Sequence, residues 1–195
     1  FGDVFPSAND IAITITGNNN SILGCYIGMN ADGITQGGIK TAIGIQITGA
    51  NNAIGNGTAA GANLISGMNG GAFVGYGIKI TDWGATGNTV KGNIIGLQKN
   101  GSTIVAGSGQ ESGVYITSSA SLNTIGGSGA GEGNVISGNS SYGLVFISLA
   151  ASNTAIGNII GPQADGITYV ISNTQYKGIA INDAQNNTIG GSTAI

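Results

Sequence analysis

One short pattern, an Asn followed by a small residue and then Ile or Val, returns along the whole chain and limits the folds open to it. It stands at Asn20-Ser21-Ile22, Asn52-Ala53-Ile54, Asn88-Thr89-Val90, Asn123-Thr124-Ile125, Asn153-Thr154-Ala155-Ile156 and Asn187-Thr188-Ile189. These Asn residues are 32, 36, 35, 30 and 34 positions apart. A second marker is a pentad with two or more large apolar residues. It occurs at Ala12-Ile13-Thr14-Ile15-Thr16, Gly44-Ile45-Gln46-Ile47-Thr48, Gly77-Ile78-Lys79-Ile80-Thr81, Gly113-Val114-Tyr115-Ile116-Thr117, Gly143-Leu144-Val145-Phe146-Ile147 and Gly178-Ile179-Ala180-Ile181-Asn182. A third marker runs from Asn to Gly at 63–67, 93–96, 134–138 and 158–161, with Cys25-Tyr26-Ile27-Gly28 in its place in the first copy. Self-similarity at a nearly fixed period is the signature of stacked repeats.

No apolar run is long enough, or correctly spaced, for a helix. β-Branched residues closed off by Gly, Asn and Ser read as short strands. The chain therefore holds six units of three strands each. Two kinds of unit alternate. The first and third markers lie eleven residues apart at Asn52/Asn63 and Asn123/Asn134, but five apart at Asn20/Cys25, Asn88/Asn93 and Asn153/Asn158. The higher-order repeat is thus two units, and residues 1–195 hold three copies of about 65 residues, the last unit incomplete at the C-terminal end.

A unit of this size cannot bury its apolar side alone and must stack on its neighbours. The expected fold is all-β, a single-domain, right-handed parallel β-helix of about six coils with three short strands per coil. Ile and Val form interior columns. Asn20, Asn52, Asn88, Asn123, Asn153 and Asn187 form a ladder, amide bonding amide at the strand spacing of about 4.8 Å. Six coils make a rod about 29 Å long. A β-propeller would show a Trp-bearing repeat, and Trp83 is the only Trp.

Composition bounds the function. Charged residues are 7% and hydrophobic residues 41%, which permits a core and is not a disordered composition. The net charge is -3, with five Lys and no Arg, so the basic stripe of a nucleic-acid binder is missing. No apolar run reaches membrane-spanning length, so membrane insertion is not expected. The single Cys excludes an intrachain disulfide. Cys25 takes an Asn position and reads as a small buried hydrophobe. The chain opens at Phe1 without Met, which predicts a processed product.

The combination NTIGG, GNVISGN, GIKIT and ATGNTVKGNIIG is similar to the repeats of large secreted and cell-surface bacterial β-helix proteins. The resemblance covers nearly the whole chain. It implies a pectate-lyase-like β-helix in an extracellular or cell-surface setting, bacterial or archaeal, with an adhesive or structural role. It implies no active site, cofactor or metal.

The residues give no catalytic constellation either. The chain has no His and no Arg. Hydrolysis of polysaccharides needs paired carboxylates. Asp32 and Asp165 occupy equivalent loops (NADG and QADG) roughly four coils, or about 19 Å, apart, and read as turn residues. An enzyme is not expected. The Gly-rich stretch 126–132 has one Glu and no tandem copy, and reads as a structural loop rather than a Ca²⁺ site. In the second marker, Tyr115, Phe146 and Lys79 are expected to face outward with Ile inside, because strand side chains alternate. Trp83, Tyr115, Tyr142 and Tyr169 are candidate contacts for sugar rings.

The two ends fit each other. In the complete unit, Asn134 follows Gly127 by seven residues and Gly143 follows Asn134 by nine. Counting seven on from Gly191, through Ile195 and into a second copy, lands on Asp3; nine more lands on Ala12. Asp3-Val4-Phe5 would then complete the broken unit. Two readings stay open, a segment of a longer repeat protein and a subunit that stacks head to tail on itself. In the second, Phe1, Val4, Phe5, Ile189, Ala194 and Ile195 form the subunit interface. The expected partners are other copies of the chain, with glycans or neighbouring filaments as further contacts.

Overall fold

The computed structural model describes residues 10–37, 42–69, 75–172 and 175–191. Its strands, numbered in chain order, form three parallel sheets. The first sheet holds β1 (Ile11–Ile15), β4 (Ile43–Ile47), β7 (Gly75–Thr81), β10 (Gln110–Thr117), β13 (Tyr142–Ile147) and β16 (Lys177–Asn182). The second holds β2 (Ser21–Ile22), β5 (Ala53–Ile54), β8 (Thr89–Val90), β11 (Thr124–Gly126), β14 (Thr154–Ile156) and β17 (Thr188–Ile189). The third holds β3 (Tyr26–Ile27), β6 (Leu64–Ile65), β9 (Ile94–Ile95), β12 (Val135–Ile136) and β15 (Ile159–Ile160). Neighbours in every sheet are three strands apart in sequence. The chain visits the three sheets in turn and returns one level further on, so it is a parallel β-helix. Among the described residues, five coils carry all three strands and the sixth carries two. Parallel crossovers of this kind are right-handed because of strand twist.

Register explains the repeat. Ile13, Ile45, Ile78, Val114, Leu144 and Ile179 pair in one column of the first sheet, and Ile15, Ile47, Ile80, Ile116, Phe146 and Ile181 in the next. The second sheet adds Ile22, Ile54, Val90, Ile125, Ala155 and Ile189, and the third Ile27, Ile65, Ile95, Ile136 and Ile160. In the middle coils these side chains are buried in one continuous core. Each such Ile or Val stabilises the rod by about 1.5–3 kcal/mol, but only because a coil above and a coil below cover it.

The register corrects one expectation. Phe146 does not face outward; it is 0% exposed and continues the column of Ile116 and Ile80. Its place in the outer column is taken by Val145, paired with Tyr115 and Ala180. The pentad of the fifth coil keeps its phase, and Phe fills the volume that Ile fills elsewhere.

Backbone conformation at the corners is equally regular. The residue just before each ladder Asn is left-handed in all six coils: Asn19 (φ 60°), Asn51 (φ 57°), Gly87 (φ 65°), Leu122 (φ 59°), Ser152 (φ 54°) and Asn186 (φ 55°). Asn and Gly tolerate this region and Leu does not. Inward-facing Gly113 has a different reason: a Cβ there would lie 2.4 Å from Ile136 Cγ2. The first sheet passes so close to the third at this level that only Gly fits.

Candidate axial interface

The six ladder asparagines are joined along the rod axis. The backbone N–H of Asn88 donates to Asn123 Oδ1 at 2.9 Å, and Asn88 Nδ2 donates to the same oxygen at 2.9 Å. Asn88 Nδ2 also donates to Gly49 O at 3.0 Å. The same three bonds recur at Asn52, Asn123 and Asn153, and the two to the next amide also at Asn20. Interior members are at most 1% exposed. A primary amide suits the position because it accepts two bonds on its oxygen while donating two from its nitrogen.

A second ladder runs through the third marker. Cys25 N–H donates to Asn63 Oδ1 at 2.9 Å, and Asn63, Asn93, Asn134 and Asn158 follow in the same geometry. A third polar chain links Gln110 Nε2 to Asn139 Oδ1 at 2.9 Å, and Asn139 Nδ2 to Gln175 Oε1 at 3.0 Å. Sequence spacing signalled the second ladder through the third marker. It gave no sign of the Gln–Asn–Gln chain, whose members differ in type and offset. Among the described residues, Ser112 Oγ is the one buried side-chain polar atom without a partner.

Both Asn ladders have a direction. From amide to amide, each rung before the last donates toward the C-terminal end and each rung after the first accepts from the N-terminal side, while the other Nδ2 hydrogen of an interior rung returns to a carbonyl of the preceding coil. The last rung, Asn187, accepts from Asn153 and sends Nδ2 back to Ala150 O at 3.0 Å. Among the described residues, its backbone N–H has no acceptor. At the opposite end, among the described residues, Asn20 Oδ1 has no donor. The strands repeat the asymmetry: β1, β2 and β3 form one edge, β16, β17 and β15 the other. The second edge exposes Ile181 (50%) and Ile189 (43%). Of the expected interface residues only Ile189 is described; Phe1, Val4, Phe5, Ala194 and Ile195 lie outside the described residues, as does Asp3.

Cys25 departs from the expectation of burial. It is exposed, because it opens the second ladder on the first coil and no described strand lies before it to cover it. Its thiol donates to Leu23 O at 3.3 Å.

The outward aromatics do not converge. Trp83 is 79% exposed on a corner of the third coil, and Tyr169 is 73% exposed on a loop of the fifth. Tyr115 packs on Tyr76 with ring centroids 4.6 Å apart, and the Lys177 ammonium sits 5.1 Å above the Tyr142 ring. Burial, reinforced by Tyr115 and Glu111, pushes the Tyr76 phenol up to about 12. Burial also raises Tyr115 and Glu111 and lowers Lys79.

The loop acids serve their own turns. Asp32 Oδ1 accepts from the N–H groups of Ile34 at 2.8 Å and Thr35 at 3.0 Å, and these bonds hold its carboxyl below the usual range. Asp165 is held down in the same way by Thr168 and Ile167. Glu132 pairs with Lys91 at 2.9 Å, the main cause of its lowered pKa, and accepts from Gly129 N–H. No group of three or more His, Cys, Asp or Glu among the described residues is placed to hold a metal ion. No helix among them is long and apolar enough to cross a membrane. No protein-family model, no curated protein and no solved structure matches the chain.

Proposed function

We propose that this β-helix is a structural subunit that stacks head to tail on copies of itself to form an extracellular fibre or surface filament. The observation that carries the reading is the direction of the ladder. One end of the rod offers a donor at Asn187 and the other an acceptor at Asn20 Oδ1, on the same sheet and at the same corner. Two copies in line satisfy both groups; two copies facing head to head satisfy neither. Open strand edges add their own unpaired N–H and C=O groups as templates for pairing. A contact between different ends that does not close on itself generates an open fibre. The sequence register, in which residues 3–5 complete the coil begun at Gly191, agrees with this direction. The resemblance to secreted and cell-surface bacterial β-helix repeats supports the extracellular setting.

The test is sedimentation and negative-stain electron microscopy of the isolated chain. Fibres with an axial rise of about 29 Å per subunit are expected, six coils at the strand spacing. A chain that remains monomeric at millimolar concentration refutes the reading. Binding of glycans through outward loops is the second reading, favoured by the bare faces of Trp83 and Tyr169. Loss of glycan binding on replacing either ring would support it.

A further inference from the structure

Among the described residues, the first, third and fifth coils carry a hairpin that the even coils do not. The three hairpins span residues 30–35, 98–103 and 163–168, and they are superimposable in their bonds. Asn30, Gln98 and Gln163 N–H donate to the carbonyls of Thr35, Thr103 and Thr168 at 2.9, 2.8 and 2.8 Å. Gly33, Gly101 and Gly166, the fourth residue of each, close a turn on the first residue at 2.9 Å in every case. Asp32, Asn100 and Asp165 brace the turn from the third position.

These hairpins reach across the intervening even coil and touch. Lys99 N–H donates to Gly33 O at 2.9 Å, and Ala164 N–H donates to Gly101 O at 2.8 Å. The second residue of one hairpin therefore sits on the fourth residue of the hairpin before it. The fit is close: a Cβ on Gly33 would lie 2.7 Å from Lys99 Cδ, and one on Gly101 would lie 2.6 Å from Ala164 Cβ. Gly166 has the same left-handed backbone (φ 73°), but a Cβ there would meet nothing nearer than Ile159 Cδ1 at 3.7 Å. Among the described residues, nothing fills at Gly166 the seat that Lys99 and Ala164 take at Gly33 and Gly101. Its unused counterpart is at the other end of the fin, where Ala31 is the second residue of the first hairpin and is exposed.

We infer that the hairpin fin is the register lock of the head-to-tail contact, with Ala31 of one copy seated on Gly166 of the copy before it. The inference rests on the stacking reading above. With hairpins on the first, third and fifth coils, the next is due two coils after the fifth, and that level is the first coil of a stacked copy. Ala31 is as small as Ala164, and its N–H would donate to Gly166 O as Ala164 N–H donates to Gly101 O. A slip of one coil would set a hairpin against a level that has none. The fin thus selects a second copy in one register.

Ala31→Pro tests this. Ala31 is the second residue of a turn closed by Gly33 N–H, where Pro is favoured, so the hairpin keeps its shape and loses only the donor. Gly166→Asn fills the seat from the other side with a residue that tolerates left-handed backbone. The readout is the critical concentration for fibre assembly, with the monomer melting temperature as control. Each variant should raise the critical concentration about five- to tenfold, the effect of one lost hydrogen bond, while melting stays unchanged. Wild-type fibres with both variants assembling like wild type would overturn the lock and leave stacking intact. No wild-type fibres at all would overturn stacking, and the lock with it.

Discussion

Replacing Asn123 by Ala should cost far more than its size suggests. The amide makes four hydrogen bonds: it accepts from Asn88 N–H and Asn88 Nδ2, both at 2.9 Å, and donates to Ala85 O at 2.9 Å and Asn153 Oδ1 at 3.0 Å. Not all its partners are stranded by the change. Ala85 O still accepts from Ser121 N–H at 3.3 Å, and Asn153 Oδ1 still accepts from Asn123 N–H at 3.0 Å. The Asn88 backbone N–H and one Asn88 Nδ2 hydrogen lose their only acceptor, and Asn88 is 0% exposed. A buried orphan donor costs about 1–3 kcal/mol, so the pair should cost about 2–6 kcal/mol. That is a large share of the stability of a domain, about 5–15 kcal/mol.

The control is the same substitution at the end of the ladder. Asn187→Ala also strands the N–H and Nδ2 of the preceding rung, Asn153, which is itself 0% exposed; but the Asn187 side chain that covers them is only half buried on an open edge, so its removal lets water reach both donors. The expected loss for the isolated chain is about 1 kcal/mol. Urea unfolding followed by far-ultraviolet circular dichroism measures both variants. Asn123→Ala losing no more than Asn187→Ala would refute the reasoning, because the argument assigns the cost to buried orphans and not to the amide itself.

Four further outcomes are expected. Leu122→Asn should stabilise the chain by up to about 1 kcal/mol in the same assay, since Leu122 is 64% exposed and left-handed where Asn19, Asn51 and Asn186 hold the equivalent corners. Phe146→Ala should destabilise by about 3–5 kcal/mol, whereas a solvent-facing Phe would show little change. Lowering the pH should loosen the hairpins first: Asp32 and Asp165 have folded pKa values below the unfolded one, so their contribution is present above the unfolded value and lost as pH falls through the folded one. Loss of amide-exchange protection at Thr35 and Thr168 before the core strands would show it. The raised Tyr76 phenol works in the opposite sense: its stabilisation is present below the ordinary tyrosine value and lost as pH rises through about 12, readable in the ultraviolet absorbance of tyrosinate and its loss in Tyr76→Phe.

The coils were legible because each level repeats the same physical problem. An Ile that must meet an Ile above and below recurs at fixed intervals, and so does an amide that must both donate and accept. Phe146 was misplaced because one pentad with four consecutive apolar residues, Leu144-Val145-Phe146-Ile147, hides the alternation that Ile78-Lys79-Ile80 displays. Cys25 was misplaced because burial at a ladder position depends on a coil at either side, and among the described residues the first coil has a neighbour on one side alone. The hairpin fin was visible only as a length difference between unit types. NADG, LQKNG and QADG predict turns, but nothing local predicts that a turn two coils away will lie against them.

A polar interior of this kind makes axial order a consequence of side-chain chemistry. Backbone pairing between parallel strands alone would tolerate a slip along the strand whenever the inward residues are alike, and here they are mostly Ile. The ladders remove that freedom. Each Asn amide must meet the next with both its oxygen and its nitrogen, and a slip of one residue would place Thr89 or Gly87 against Asn123, stranding the buried N–H and Nδ2 donors at that junction. At about 1–3 kcal/mol per buried orphan, the two donors of one interior junction already make a slip of one strand costly. In the proposed head-to-tail contact, the donor at Asn187 and the acceptor at Asn20 would be satisfied together or not at all. Asn20→Ala, which removes the acceptor but keeps the coil it opens, should therefore slow elongation of seeded fibres while leaving monomer stability within about 1 kcal/mol of the unaltered chain. Elongation at the original rate would show that the strand edges suffice and that the ladder ends at the rod.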